Sequence, residues 1–420
     1  DFGHSKKIRK NVHSLTAEEQ NSLRRAMDDL QDDKTRGGFQ QIAAFHGEPK
    51  WCPRPEAEKK FACCVHGMAV FPHWHRLLTV QGENALRKHG FTGGLPYWDW
   101  TRPMSALPHF VADPTYDDSV SSLEEDNPYS HGHIDSVGHD TTRAVRDDLY
   151  QSPGFGHYTD IAKQVLLALE QDDFCDFEVQ FEIAHNSIHA LVGGNEPYGM
   201  STLEYFLYDP IFFLHHSNTD RLWAIWQALQ KYRGKPYNTA NCAIVRHDTY
   251  RKPLQPFGLD SVINPDDETR EHSVPRDVFN YKDDFNYEYE SLNFNGLSIA
   301  QLDRELQRIK SHDRVFAGFL LHEIGQSALV KFYVCKHHVS DCDHYAGEFY
   351  ILGDEAEMPF AYDRVYKYEI SQALHDLDLH VGDNFHLKYE AFNLNGGSLG
   401  GVDLSQPSVI FEPAAGSHTA

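Results

Sequence analysis

Six histidines in two groups of three constrain this chain more than any other feature: His46, His66 and His75, then His185, His189 and His216. Each trio can hold one metal ion through neutral imidazole nitrogens. Neither has a thiolate or carboxylate at a matching position. All-imidazole sets suit copper, zinc, iron or nickel and leave a coordination position open for a small ligand. Two such sets in one chain point to a two-metal centre that handles a small molecule.

The trios sit on readable helices. In Phe181-Glu182-Ile183-Ala184-His185-Asn186-Ser187-Ile188-His189, two histidines stand at i and i+4 on one side of a helix ended by Gly193-Gly194. That is a two-point metal clip. Asp209 and Pro210 open a further helix that runs to about Tyr232, before Gly234. His216, Asp220 and Trp223 share one of its faces, and Asp220, one turn from His216, is placed to accept a hydrogen bond from that ring. His215 points about 100° away from His216, so only one of the pair can aim at the metal with this face. His46 shares a core-facing stripe with Phe39, Ile42 and Ala43. Pro72 starts a helix that carries His75 on its first turn and is closed by Gly90. His66, nine residues earlier, would face the opposite way on a continuous helix, so it belongs to the loop before Pro72.

The chain has 27 histidines, so chance pairs are expected, and a lone inward histidine such as His46 is more often a satisfied core residue. Core-facing histidines on four separable segments, each beside aromatics, are hard to explain by packing alone.

The segments Phe71-Pro72-His73-Trp74-His75-Arg76, Pro96-Tyr97-Trp98-Asp99-Trp100 and 209–223 resemble those of type-3 copper proteins: tyrosinases, catechol oxidases and molluscan haemocyanins. Within these the chain resembles one functional unit of a molluscan haemocyanin. Cys64-Val65-His66 is similar to the family's Cys-x-His thioether motif. The stretch from Val315-Phe316-Ala317-Gly318-Phe319-Leu320-Leu321 through Glu357-Met358-Pro359 looks like its β-sandwich domain. The resemblance implies that His46, His66 and His75 bind one copper (CuA) and His185, His189 and His216 the other (CuB), with His73 and His215 outside the ligand set. It implies a thioether from Cys64 to the His66 ring, which would lock a loop-borne ligand. It implies Phe212 packed against a CuB histidine and Leu352 laid over the entrance. The cofactors implied are two copper ions, Cu(I) without oxygen and Cu(II) with it, dioxygen being held as side-on peroxide between them. Seven cysteines then divide into the thioether and three disulfides: Cys52–Cys63, Cys175–Cys242 and Cys335–Cys342.

The fold expected is α+β multidomain. A mainly α-helical dicopper domain with a four-helix-bundle core covers 1–290, and an antiparallel β-sandwich over 291–420 shields the site. Thr16 to Glu19 reads as a capping box for a helix to about Asp33. A long polar loop region follows Trp100 to about His139, and irregular Pro- and Asp-rich sequence covers roughly 250–290. From about Asp313 short β-rich runs take over at 314–321, 328–335, 348–352, 364–370, 385–392 and 408–411, with a turn at Asn395-Gly396-Gly397.

At 420 residues the chain can bury a sizeable core. It has no apolar run long enough to span a bilayer and opens with neither an initiator Met nor a signal peptide, so it reads as a segment of a longer secreted polypeptide. No Asn-x-Ser/Thr sequon is present. A formal net charge of −24 argues against nucleic acid and anionic membranes as partners and favours solubility. The acidic runs at 117–118, 124–126 and 266–268 read as solvated loops. The charge also favours surface binding of divalent cations, with Ca2+ or Mg2+ as candidate assembly ions, and the resemblance implies other units of the same polypeptide, a large homo-oligomer and a location in haemolymph.

Three functions fit. One is a reversible oxygen carrier, not an enzyme, with latent o-diphenol oxidase activity when the C-terminal domain is displaced. The second is a catechol oxidase or tyrosinase-like enzyme on the same core. The third is a copper-storage or structural protein, for which the helical histidine geometry is over-specified.

Overall fold

The computed structural model describes residues 6–49, 63–118, 120–150, 158–242, 248–257, 273–321, 326–336, 342, 344–353, 364–394, 397, 399, 402 and 404–415. Cys52, Asp266 to Glu268, Glu357-Met358-Pro359 and the turn residues Asn395 and Gly396 lie outside these.

Helix α1, Ala17–Asp32, opens with the expected box: Glu19 N donates to Thr16 Oγ1 at 3.2 Å, and Thr16 N donates to the Glu19 carboxylate at 2.9 Å. Helices α2 (Phe39–His46), α3 (Phe71–Lys88), α5 (Phe174–Gly193) and α6 (Ile211–Tyr232) form the histidine-bearing core. Helix α4, Asp160–Leu169, packs alongside α5. In α6 every residue from Ile211 to Gln227 is buried, on all sides of the helix. A helix buried all round sits inside its domain, so its polar residues must each find a partner there.

Among the described residues the sandwich shows two three-stranded antiparallel sheets. One has the order 364–369, 314–321, 408–412; the other 385–392, 328–336, 344–351. Phe319, Phe332, Phe349 and Tyr366 fill the space between them. Val179 and Ile183 of α5 join that cluster, while Leu329, Tyr350, Leu352 and Leu394 of the sandwich region are buried in the helical core. The two domains thus exchange apolar residues across a shared boundary. Helix α7, Ile299–Lys310, also packs Leu302 and Leu306 into the helical core.

Two regions read as irregular contain more order. The loop region after Trp100 holds hairpins at 115–118 with 123–126 and at 133–134 with 139–140. The strand Tyr287–Tyr289 pairs in parallel with Lys7–Arg9. Strands of three residues are too short for alternation to be legible.

The expected pairs Cys175–Cys242 and Cys335–Cys342 are present, with Cα atoms 6.1 and 4.8 Å apart. Cys63 is also disulfide-bonded; Cys52, its expected partner, lies outside the described residues. Cys64 belongs to none of these bridges.

Candidate metal centre

The second trio is built by two helices. His185 and His189 project from one side of α5, and His216 comes from the second turn of α6. Their Nε2 atoms converge: His185 to His189 at 3.0 Å, His185 to His216 at 3.1 Å and His189 to His216 at 3.2 Å. The Nδ1 atoms decide which nitrogen carries the proton. His185 Nδ1 faces Asn186 Oδ1 at 2.9 Å, and His189 Nδ1 faces the Met200 carbonyl at 3.2 Å. Oxygen acceptors there require Nδ1–H, which leaves the Nε2 lone pairs pointing at one another.

The first trio draws on α2, the loop before α3, and α3. Its ring centroids are 5.3 Å apart for His46 and His66, 5.7 Å for His46 and His75, and 5.1 Å for His66 and His75. His75 Nδ1 donates to the Phe71 carbonyl at 3.0 Å, again freeing Nε2. The Nε2 atoms of His46, His66 and His75 are all buried without a hydrogen-bond partner among the described residues. His66 does lie in the loop before Pro72, followed by Gly67 at φ 69°. The trios face each other: His75 stacks on His216 at 4.6 Å and His66 on His185 at 6.1 Å.

All six rings are at most 3% exposed. Burial disfavours the charged form, holding His46 down at about 3 and His185 at about 4. The other four are held well below the usual imidazole value, by burial first and then by neighbouring histidines; for His66 the Arg364 guanidinium adds to this. Neutral imidazoles are the form that ligates metal.

Aromatic rings wall the centre. Phe212 stacks on His216 at 4.0 Å and stands 5.1 Å from His46, touching both trios. Phe206 stacks on His189 at 4.1 Å, and Phe71 lies 4.4 Å from His75 and 4.8 Å from His185. His215 stands beside the second trio, its ring parallel to His185 at 4.8 Å, and neither of its nitrogens has a hydrogen-bond partner among the described residues. His73 is elsewhere, among Phe174, Trp223 and Phe279. Cys64 Sγ lies within 4.8 Å of donor atoms of both His46 and His66.

One expectation is corrected. Asp220 accepts from Arg76 Nε, Tyr287 and Tyr289, each at 2.5 Å, and from Arg9 at 3.4 Å. Those bonds take its carboxylate away from His216, whose Nδ1 has no hydrogen-bond partner among the described residues. Two buried guanidiniums outcompete a neutral ring for the carboxylate. Sequence reasoning also missed Asn186, which orients His185. Its position next to a candidate ligand was the available signal.

The family model described as the common central domain of tyrosinase matches residues 36–229, and the haemocyanin β-sandwich model matches 309–413. Hemocyanin type 2 unit e of Rapana venosa is 46% identical over 98% of this chain and 100% of its own length. The chain belongs to the molluscan haemocyanin family. Hemocyanin 2 of Megathura crenulata, also a haemocyanin, is 88% identical over all of this chain, which spans 12% of that relative's length. The solved deoxygenated hemocyanin of Rapana thomasiana superposes with a TM-score of 0.92 at 46% identity, covering 98% of this chain and 100% of that one. Haemocyanin membership implies a dicopper centre with histidine ligands. The residues present fit it: unpartnered buried Nε2 atoms in one trio and mutually facing Nε2 atoms in the other are a donor set that a cation would satisfy.

Proposed function

We propose that the chain is an oxygen-binding unit that carries dioxygen reversibly at two copper ions. His46, His66 and His75 would hold one ion and His185, His189 and His216 the other. The observation that carries this reading is the pair of facing, buried, neutral imidazole trios. Bound copper would supply reversible electron transfer to and from dioxygen.

The protein's own contribution is to keep that exchange reversible. The Phe71, Met200 and Asn186 oxygens hold protons on Nδ1, so each opposing Nε2 stays a donor. Phe212, Phe206 and Phe71 keep water from the rings. Cys64, close to His66, would join its ring by a thioether and fix a loop-borne ligand. Leu352, 2% exposed in the helical core, would shield the entrance, and its displacement would release latent o-diphenol oxidation. The two-domain division expected near residue 290 carries that shielding. The packing of Leu302 and Leu306 of α7 into the helical core supports a start of the shield near Arg314 rather than near 291.

The relatives' multi-unit polypeptides support further units in tandem and larger assembly as partners, with Ca2+ or Mg2+ as candidate assembly ions. Described disulfides support secretion into an oxidising fluid such as haemolymph. No helix among the described residues is long and apolar enough to cross a membrane.

The test is an absorption spectrum of the copper-loaded protein cycled between oxygen and nitrogen, with catechol added afterwards. A strong near-ultraviolet band that comes and goes, with little quinone, is expected. A band that decays as quinone accumulates makes the protein an oxidase. Copper bound with no band overturns the paired site.

A further inference from the structure

Two carboxylates share the face of α5 that carries the second trio. Glu178, Glu182, His185 and His189 follow at i, i+4, i+7 and i+11, one ridge of the helix. Glu178 and Glu182 are 0% and 1% exposed, and a buried carboxylate needs a partner. Both have the same one. Arg364, the first residue of a sandwich strand and itself 7% exposed, donates from Nη1 to Glu178 Oε2 and to Glu182 Oε2, each at 3.0 Å. The second oxygen of Glu182 accepts the backbone N–H of Gly67 at 2.7 Å. Gly67 follows His66 and takes a left-handed conformation, φ 69°.

The sandwich also reaches the other trio. The Tyr350 carbonyl accepts from Asn186 Nδ2 at 3.0 Å, and Asn186 Oδ1 faces His185 Nδ1 at 2.9 Å. Two routes thus leave the sandwich, one ending beside His66 and one at His185.

We propose that Arg364 is a positioning residue of the metal centre. Through Glu182 and Gly67 it fixes the loop that aims His66, and together with the Tyr350–Asn186 contact it makes the sandwich part of the frame that spaces the two trios. The shielding domain then does more than cover the site: its docked position is read at both metals. Apolar burial at the boundary would hold the domains together without Arg364. One guanidinium nitrogen that donates to two buried carboxyls of the same helix sets orientation as well as proximity. This inference rests on the reading that the trios hold metal.

The test uses the whole chain loaded with copper, comparing wild type, Arg364→Met and Arg364→Lys. Metal release to a chelator is followed under nitrogen, and oxygen half-saturation is measured separately. Loss of groups that orient metal ligands weakens metal affinity roughly 10–100-fold. Arg364→Met is expected to speed release of one of the two ions about tenfold and to shift half-saturation, with far-ultraviolet circular dichroism unchanged. Arg364→Lys is expected to recover part of the release rate. If Arg364→Met lowers only the thermal midpoint, leaving release and half-saturation at wild-type values, the residue is merely structural and the proposal is overturned. If Arg364→Met does not fold, Glu182→Gln takes its place, with the same faster release expected and an unchanged rate overturning the idea. A wild-type protein that binds two metal ions without reversible oxygenation would sink the oxygen-carrier reading. The release rates would still decide the role of Arg364.

Discussion

At the scale of single residues, the centre depends on which atom of each ring is freed. Helical periodicity made the His185–His189 pair and the inward face of His46 legible, while the grouping of all six into two ligand sets, and the choice of His216 over His215, came from the resemblance. Periodicity could not reveal where Asp220 turns. That depended on Arg9, Arg76, Tyr287 and Tyr289, brought together from distant parts of the chain. Burial alone would raise the Asp220 carboxyl. Arg76 and then Arg9 outweigh this and hold it below its usual value. A depressed carboxyl stabilises the fold above its unfolded pKa, and that stability is lost as pH falls through the folded one. Asp220→Asn leaves two guanidiniums buried beside a neutral amide and is expected to cost about 3–5 kcal/mol. A urea midpoint would measure this, and an unchanged midpoint would refute it.

At the scale of elements, helices α3, α5 and α6 hold the rings at fixed depth with little freedom to adjust. A Cβ on Gly82 of α3 would sit 2.3 Å from the buried Phe213 ring of α6. Gly82→Ala gains about 1 kcal/mol of helix propensity and loses about 1–3 kcal/mol to overpacking. The expected result is a modest net drop in thermal midpoint; a rise would show that the α3–α6 contact is loose. The copper-free protein should also be acid-sensitive. His46 and His185 titrate at about 3 and about 4 when folded, against 6.5 when unfolded. The unfolded chain therefore takes up protons first as pH falls below 6.5, and stability declines from there towards pH 3–4. Each such ring contributes about 2 kcal/mol of loss between pH 7 and 5. Denaturant midpoints at the two pH values check this, and equal midpoints would contradict the buried neutral state. The sandwich strands were legible for the same kind of reason as the helices, since runs such as 314–321 and 385–392 are long enough to show their texture. The Lys7–Arg9 and Tyr287–Tyr289 pair was not, because its partners are too short and too far apart for any local pattern.

At the scale of the whole molecule, the two domains share buried side chains, and the site lies near that shared boundary. Leu352→Ala removes a buried side chain from the helical core and is expected to cost about 2–5 kcal/mol. It is also expected to raise catechol oxidation by the intact copper-loaded chain. Unchanged quinone formation with both coppers retained would remove Leu352 from the shielding role. The parallel pairing of Lys7–Arg9 with Tyr287–Tyr289 has a consequence in time. Arg9, 0% exposed, bonds to Glu83 and Tyr289, and its strand faces residues 280 positions later in the chain. A ribosome adding about 5–20 residues per second takes roughly 15–60 s to cover that distance. For that interval the first strand of a nascent unit waits without its partner while most of the helical domain has already emerged. Closure of each unit cannot precede synthesis of that partner strand, and a chaperone with affinity for the open edge would have about 15–60 s in which to act.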